Sequence, residues 1–187
     1  MKNQFNLLIS LLFFLGLCGE VKSQLPDNAV YINPFIGTDA HGHTYPGAVL
    51  PNGMVQLSPD TGDEGWDWCS GYHSSDQSIM GFSHTHLSGT GCPDMGDILI
   101  MPMNGEPKFE PGSKENPDEG YRSRFSKSTE QASPGYYSVI LEDDQIKAEL
   151  TASQRVGFHQ YTFTKADEAC VIIDLRHPIG YFEWSKV

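Results

Sequence analysis

Between Ser23 and Pro107 the chain contains no lysine and no arginine. Over its full 187 residues it carries 12 Lys and Arg against 24 Asp and Glu, a net charge of −12. Nucleic acid and anionic lipid surfaces are bound through basic footprints, so this balance excludes both as partners. Cysteine is scarce, with Cys18, Cys69, Cys92 and Cys170 only. No helical periodicity persists beyond about two turns. Ser88-Gly89-Thr90-Gly91 looks like a phosphate cradle but lacks the P-loop lysine and has no basic neighbour, which excludes a nucleotide site. No G-x-S-x-G nucleophile elbow is present. The longest apolar run, Leu7 to Leu17, is too short for a comfortable membrane span.

That run follows the short basic start Met1-Lys2 and reads as the core of a secretory signal peptide, residues 1–23. Val21-Lys22-Ser23 resembles a small-x-small cleavage pattern. Processing as a surface lipoprotein at Cys18 is the weaker alternative, because Leu17 precedes that cysteine where a small residue is wanted. Cleavage removes Lys2, Lys22 and Glu20, which takes the net charge from −12 to −13. Export to the periplasm or the medium is the expected localisation. Three cysteines remain, and the odd count leaves at least one unpaired. A Cys69–Cys92 bridge is one arrangement; buried free thiols are the other and the one favoured.

Residues 24–187 read as one all-β domain, an antiparallel β-sandwich. Short strands are expected at Val49 to Leu57 and Ile79 to Leu87, with Phe82, His84 and His86 sharing a face of the second. Ile98-Leu99-Ile100-Met101 predicts a strand buried on both faces. Clustered charges, Pro and Ser over residues 108–133 predict a long exposed loop. A meander follows: Gly135 to Leu141, then Ile146 to Ser153, then Val156 to Thr164, then Cys170 to Leu175. In its second strand Ile146, Ala148, Leu150 and Ala152 point inward.

The chemistry-bearing residues concentrate in the cationless segment. Five of the seven histidines lie there: His41, His43, His73, His84 and His86. Aromatic faces, neutral imidazoles, carboxylates and glycines suit a concave wall for a neutral polyol or a cation. Trp66-Asp67-Trp68 on a Gly-rich loop could stack on the apolar face of a sugar ring, with Asp67 accepting from hydroxyls. The competing reading makes both tryptophans core; it fits Trp68, beside Cys69, better than Trp66. His84-Thr85-His86 has the spacing of a zinc or copper pair, with Cys92, Asp94, His41 or His43 as a third ligand. The bland alternative is that both rings bond neighbouring loops or a sugar. Asp60, Asp63, Glu64, Asp94 and Asp97 supply carboxylates, but none sits in a calcium-loop pattern and no acid/base pair is evident.

Several long motifs bear on identity. They are Val30-Tyr31-Ile32-Asn33-Pro34-Phe35-Ile36-Gly37-Thr38, His41-Gly42-His43-Thr44-Tyr45-Pro46-Gly47-Ala48, Pro51 to Asp60, Trp66 to His73, and Gly81 to Cys92 continuing through Asp94 to Pro102. In these residues the chain resembles the N-terminal part of the glycoside hydrolase family 92 α-mannosidases, over roughly residues 30–187. The resemblance implies an exo-acting, inverting, calcium-requiring enzyme acting on mannose-containing glycans, of α-1,2 type. It implies a second domain, a C-terminal (α/α)6 barrel, that carries the catalytic acid and base and most of the calcium shell. The chain has no such barrel, so it is expected to supply one wall of the sugar pocket and no catalytic residue. Substrate contact is assigned to Trp66, Asp67, His84, His86, Gly91 and Cys92, and less strongly to His41 and His43. A stand-alone carbohydrate-binding module is the alternative from another class, and a small zinc protein built on His84 and His86 is a third.

The signal-peptide reading is tested by intact mass. Protein from its native host is expected to begin at Gln24; retention of Met1, or a lipid on Cys18, would contradict it.

Overall fold

The computed structural model describes residues 27–63 and 65–180. The signal segment and Glu64 lie outside the described residues. The chain divides into two compact units, residues 1–30 and 31–187. Described residues of the first fall in a 3-10 turn, Asp27–Tyr31.

The second unit is all-β and antiparallel throughout. Its strands are β1 (Ala48–Val49), β2 (Gln56–Asp60), β3 (Ser78–Ile79), β4 (Gly81–Ser83), β5 (Leu99–Asn104), β6 (Ser123–Arg124), β7 (Gln131–Ser133), β8 (Tyr136–Leu141), β9 (Ile146–Ala152), β10 (Gly157–Thr162) and β11 (Ala169–Asp174). A five-stranded sheet runs β1-β2-β4-β5-β11, and a four-stranded sheet runs β10-β9-β8-β7. β3 and β6 form a separate two-stranded ribbon. Leu57, Phe82, Leu99, Met101 and Met103 of the first sheet meet Tyr137, Val139, Leu141, Ala148 and Leu150 of the second in one core. This is the expected sandwich.

The meander follows its period-2 pattern. In β9, Ile146, Ala148 and Leu150 are buried while Lys147 and Thr151 are exposed. Thr151 pairs with both Tyr136 and Phe158, which fixes the register of β8, β9 and β10. A one-residue slip would turn that apolar row to solvent.

Four expectations need correction. The segment from Val49 to Leu57 is not one strand: Asn52 takes a left-handed φ of 59° and Gly53 N donates to Leu50 O (2.9 Å), so the chain turns back as the β1–β2 hairpin. The segment from Ile79 is interrupted too; β4 ends at Ser83, and His84 and His86 lie beyond it. Ile98 falls outside β5, exposed and with φ 57°. Residues 108–133 are not simply an exposed loop. They supply β6 and β7 and bury Tyr121, Arg122 and Phe125. Glu130 anchors this stretch, accepting from Tyr137 (2.6 Å) and Tyr72 (3.0 Å) with Lys127 at 3.2 Å. Hydrophilic composition hid these anchors, because a buried carboxylate satisfied by tyrosine hydroxyls looks like a surface charge in sequence.

One side of the five-stranded sheet keeps an apolar row in the open. Val171, Ile173 and Leu175 are 47%, 61% and 70% exposed, with Phe109 also exposed. β11 is an edge strand among the described residues. No helix among them is long and apolar enough to cross a membrane.

Leu150, buried in the core from the central β9, sets a test of the sandwich. Leu150→Ala is expected to cost about 2–5 kcal/mol by chemical denaturation, whereas Phe158→Ala, 60% exposed on β10, should stay within about 0.5 kcal/mol. Equal costs for the two would contradict the assignment of faces.

Candidate functional site

The Trp66 turn begins where β2 ends. Thr61 N and Gly62 N donate to Gly71 O at 2.7 and 3.2 Å. Between them the chain makes the short 3-10 turn Trp66–Trp68, closed by Cys69 Sγ and Gly71 N, which donate to the carbonyls of Trp66 (2.8 Å) and Trp68 (2.9 Å). This turn sends its two tryptophans to different fates. Trp68 is half-buried: its Nε1 donates to Asp76 (2.7 Å), and Lys114 lies 3.6 Å from the ring centroid as a cation–π partner. Trp66 is 57% exposed.

Around Trp66 stand His41, His43, Asp67 and Gly91. The ring of His43 meets the Trp66 indole edge-on at 4.4 Å, and the ring of His41 lies at 5.0 Å. His41 Nδ1 bonds Asp67 Oδ1 at 2.6 Å. That bond holds the Asp67 carboxyl below its ordinary pKa, so it stays an acceptor. Gly91 lies so close to Trp66 that a Cβ there would meet indole Nε1 and force the ring to shift. Cys92, beside it, is exposed.

His43 is the least relaxed of this group. Its backbone sits in the left-handed region at φ 53°, and its carbonyl accepts from Gly89 N (2.7 Å). A non-glycine residue there persists only where its surroundings hold it. The side chain is buried, and Nε2 has no hydrogen-bond partner; Asp67 Oδ1 is 3.7 Å away. A buried polar atom without a partner is uncommon, and the nearby Asp67 carboxylate is the group that offsets it. His73 steadies this loop from below, bonding Ala40 O at 3.1 Å.

His84 and His86, expected to share a strand face, instead diverge. His84 Nδ1 donates to Ile98 O at 2.9 Å, since a carbonyl can only accept. Its Nε2 then accepts from His159 Nε2 (3.1 Å), and His159 Nδ1 accepts from the Tyr161 hydroxyl (2.7 Å). Burial and the neighbouring His84 ring hold His159 down at about 4, so that ring is neutral at physiological pH. His86 is buried, with Nδ1 on Gln56 O (2.6 Å) and Nε2 on Asp60 Oδ1 (2.7 Å). Both rings therefore spend both nitrogens on protein groups. They do not converge on a common point, and among the described residues no three His, Cys, Asp or Glu side chains are placed to hold a metal.

Asp60 is the buried anchor behind these residues that the sequence does not single out from its neighbouring carboxylates. His86 bonds one oxygen and His177 the other (3.0 Å), and all three side chains are buried. Burial disfavours its charge, but the two imidazoles prevail and keep its pKa below the ordinary value. For His177 burial likewise opposes the charge, and Asp60 prevails, raising the pKa. The partners are 26 and 117 residues away in sequence, so no local spacing could have signalled the cluster. Cys69, Cys92 and Cys170 are all free, as the free-thiol reading expected and against a Cys69–Cys92 bridge; of the three Cys69 is buried, Cys170 half-buried and Cys92 exposed.

The site therefore reduces to an exposed indole, an ionised carboxylate and two imidazoles on a surface without cations of its own. Comparison with known proteins bears on the domain as a whole. The glycosyl hydrolase family 92 N-terminal domain matches residues 31–187. The family GH92 α-mannosidase BT3965 of Bacteroides thetaiotaomicron, solved in complex with mannoimidazole, is 49% identical over 83% of this chain and 20% of its own, with a TM-score of 0.81. The inverting GH92 mannosidase BT2199 of the same organism is 30% identical over 82% of this chain and 20% of its own, with a TM-score of 0.64. A protein of Arthroderma benhamiae described as an uncharacterized secreted glycosidase is 29% identical over 165 residues, 82% of this chain and 20% of its own length. The chain spans about a fifth of each of these relatives. This chain belongs to glycosyl hydrolase family 92, as its N-terminal domain.

Proposed function

We propose that this chain is the N-terminal portion of an exported, inverting exo-α-mannosidase of α-1,2 type that acts on mannose-containing glycans. One observation carries its share of the chemistry: Trp66, Asp67, His41 and His43 form a single surface with an exposed indole and an unpartnered buried imidazole nitrogen. The indole presents an apolar face of sugar-ring width. Asp67 accepts from hydroxyls through the oxygen that His41 leaves free, and the buried His43 ring, edge-on to the indole, holds Trp66 in place. Gly91 and Cys92 form the rim beside the indole. His84 and His86 act behind this surface, since their ring nitrogens are already bonded.

Inversion requires a proton donor for the leaving oxygen and a carboxylate that activates water on the opposite face, roughly 6.5–9.5 Å apart. Neither role is assigned to a residue of this chain; both belong to the C-terminal domain, the partner that the family's N-terminal domain implies. The exposed row Val171, Ile173 and Leu175 is apolar surface of the kind such a domain covers. The calcium requirement is assigned to that domain as well. Calcium wants six to eight oxygen ligands, and the residues around Trp66 are largely nitrogen and aromatic, a poor fit. When bound, calcium would grip sugar hydroxyls; the residues here orient the ring and keep it against the indole. Export rests on the N-terminal apolar run and on the description of the Arthroderma relative as secreted.

In the complete enzyme, Trp66→Ala is expected to lower kcat/KM by ~10- to 1,000-fold at unchanged melting temperature, the range for contacts that strengthen in the transition state. Chelation of calcium should abolish activity. The 187-residue chain alone is expected to release no mannose from mannobiose or an aryl mannoside. Turnover by this chain, lost on mutating one of its own carboxylates, would overturn the assignment. Sugar affinity without turnover even in the complete protein would favour a carbohydrate-binding module.

A further inference from the structure

The buried cluster of Asp60, His86 and His177 has no direct access to the sugar-facing surface, yet it touches the Trp66 turn and the Tyr45 ring that follows the His41–His43 loop. On one side lies the Trp66 turn. A Cβ on Gly71 would collide with Asp60 Oδ1, so the end of that turn rests directly on the carboxylate. The same residue's carbonyl takes the amides of Thr61 and Gly62, which follow Asp60 in the chain. On the other side, the His86 ring lies 5.0 Å from the ring of Tyr45, two residues beyond His43. Ser70 Oγ joins the two sides through Thr44 O at 3.1 Å. From a third direction His177 brings in the segment after β11, where Ile179 N donates to Met95 O and Gly180 N to Asp63 O, each at 2.7 Å.

We propose that Asp60, clamped between His86 and His177, is the positioning residue for the sugar-facing surface and sets how Trp66 stands against the His41–His43 loop. This rests on the mannosidase reading for its catalytic consequence, not for its structural content. Three arms meet at two carboxylate oxygens. Removing either imidazole leaves a buried charge half-paired, and relief comes by shifting Gly71 or letting water in. Either movement reaches Trp66 through the turn's own hydrogen bonds.

The clamp also has a pH window. Asp60 is faced by His86 and His177, with the neutral Ser83 hydroxyl 3.0 Å from His86; His177 is faced in addition by Asp63 and Asp174. Asp60 has a lowered pKa, so its stabilisation is present above the ordinary carboxylate value and is lost as pH falls through the lower folded value. His177 has a raised pKa, so its stabilisation is complete below the ordinary imidazole value and is lost as pH rises through the higher folded value. The surface is held across the interval between.

The test uses the complete enzyme labelled with 5-fluorotryptophan, the Trp66 resonance being assigned with Trp66→Phe. His177→Ala should move or broaden that resonance and lower kcat/KM about tenfold. His177→Gln keeps a donor to Asp60 and should restore most of both at pH 6, while removing the wild-type fall in kcat/KM on the alkaline side. Tyr121→Phe is the control. It removes a buried hydrogen bond to Asp174 (2.9 Å) near the cluster without touching the turn, and should lower the melting temperature while leaving the Trp66 resonance and kcat/KM unchanged. If His177→Ala fails to fold, His177→Gln decides alone: an alkaline limb identical to wild type overturns the proposal. So does an unmoved Trp66 resonance in a folded His177→Ala. A wild-type enzyme without mannosidase activity would defeat the proposed function, while the fluorine readout would still decide the positioning role.

Discussion

One buried carboxylate between two imidazoles holds this domain's functional end together. Charges are seldom fully buried unless paired, and breaking such a pair leaves an uncompensated charge that costs about 3–5 kcal/mol. Asp60 lies at the last residue of β2, His86 just past β4 and His177 just past β11. Three strand ends of one sheet are thereby tied at a point, and the loops that leave those ends inherit fixed starting directions. The sandwich core supplies stability, while the Asp60 cluster supplies the geometry of the loops.

The cationless segment gains its meaning from this arrangement. Within the segment, His41, His43, Asp67 and Trp66 face one another without competing lysines or arginines. Cations reach the neighbourhood only from later in the chain, and where one does, it is absorbed: Lys114 covers the Trp68 indole and pairs with Asp76 at 3.2 Å. Of the two tryptophans in one three-residue turn, one becomes a pillar and the other is left open. Hydrogen bonding explains the division, because Trp68 Nε1 has an internal acceptor in Asp76.

The histidines divide by the same rule. His84, His86 and His177 each meet fixed protein partners and become structural joints. His43 alone is buried with an unpartnered nitrogen, and it stands beside the open tryptophan. Counting hydrogen-bond partners thus separates frame from working surface more sharply than residue type does.

The sequence by itself determined the sandwich class, the β8–β9–β10 meander and the family. Period-2 alternation and turn chemistry are local properties, and the motifs around Trp66 and His84 lie within continuous stretches. It also singled out Trp66 over Trp68 as the tryptophan open to a ligand. Tertiary structure alone decided the rest. It ended the second expected strand after Ser83, where His84 and His86 turn to separate protein partners, whereas the break at Asn52 follows a local turn signal, Pro51-Asn52-Gly53, that the strand reading passed over. It converted much of residues 108–133 into buried anchors, and it set His84 and His86 on different errands. It also made Asp60 the centre of a buried cluster behind that surface, since its partners come from distant segments and burial is what gives a paired charge its strength.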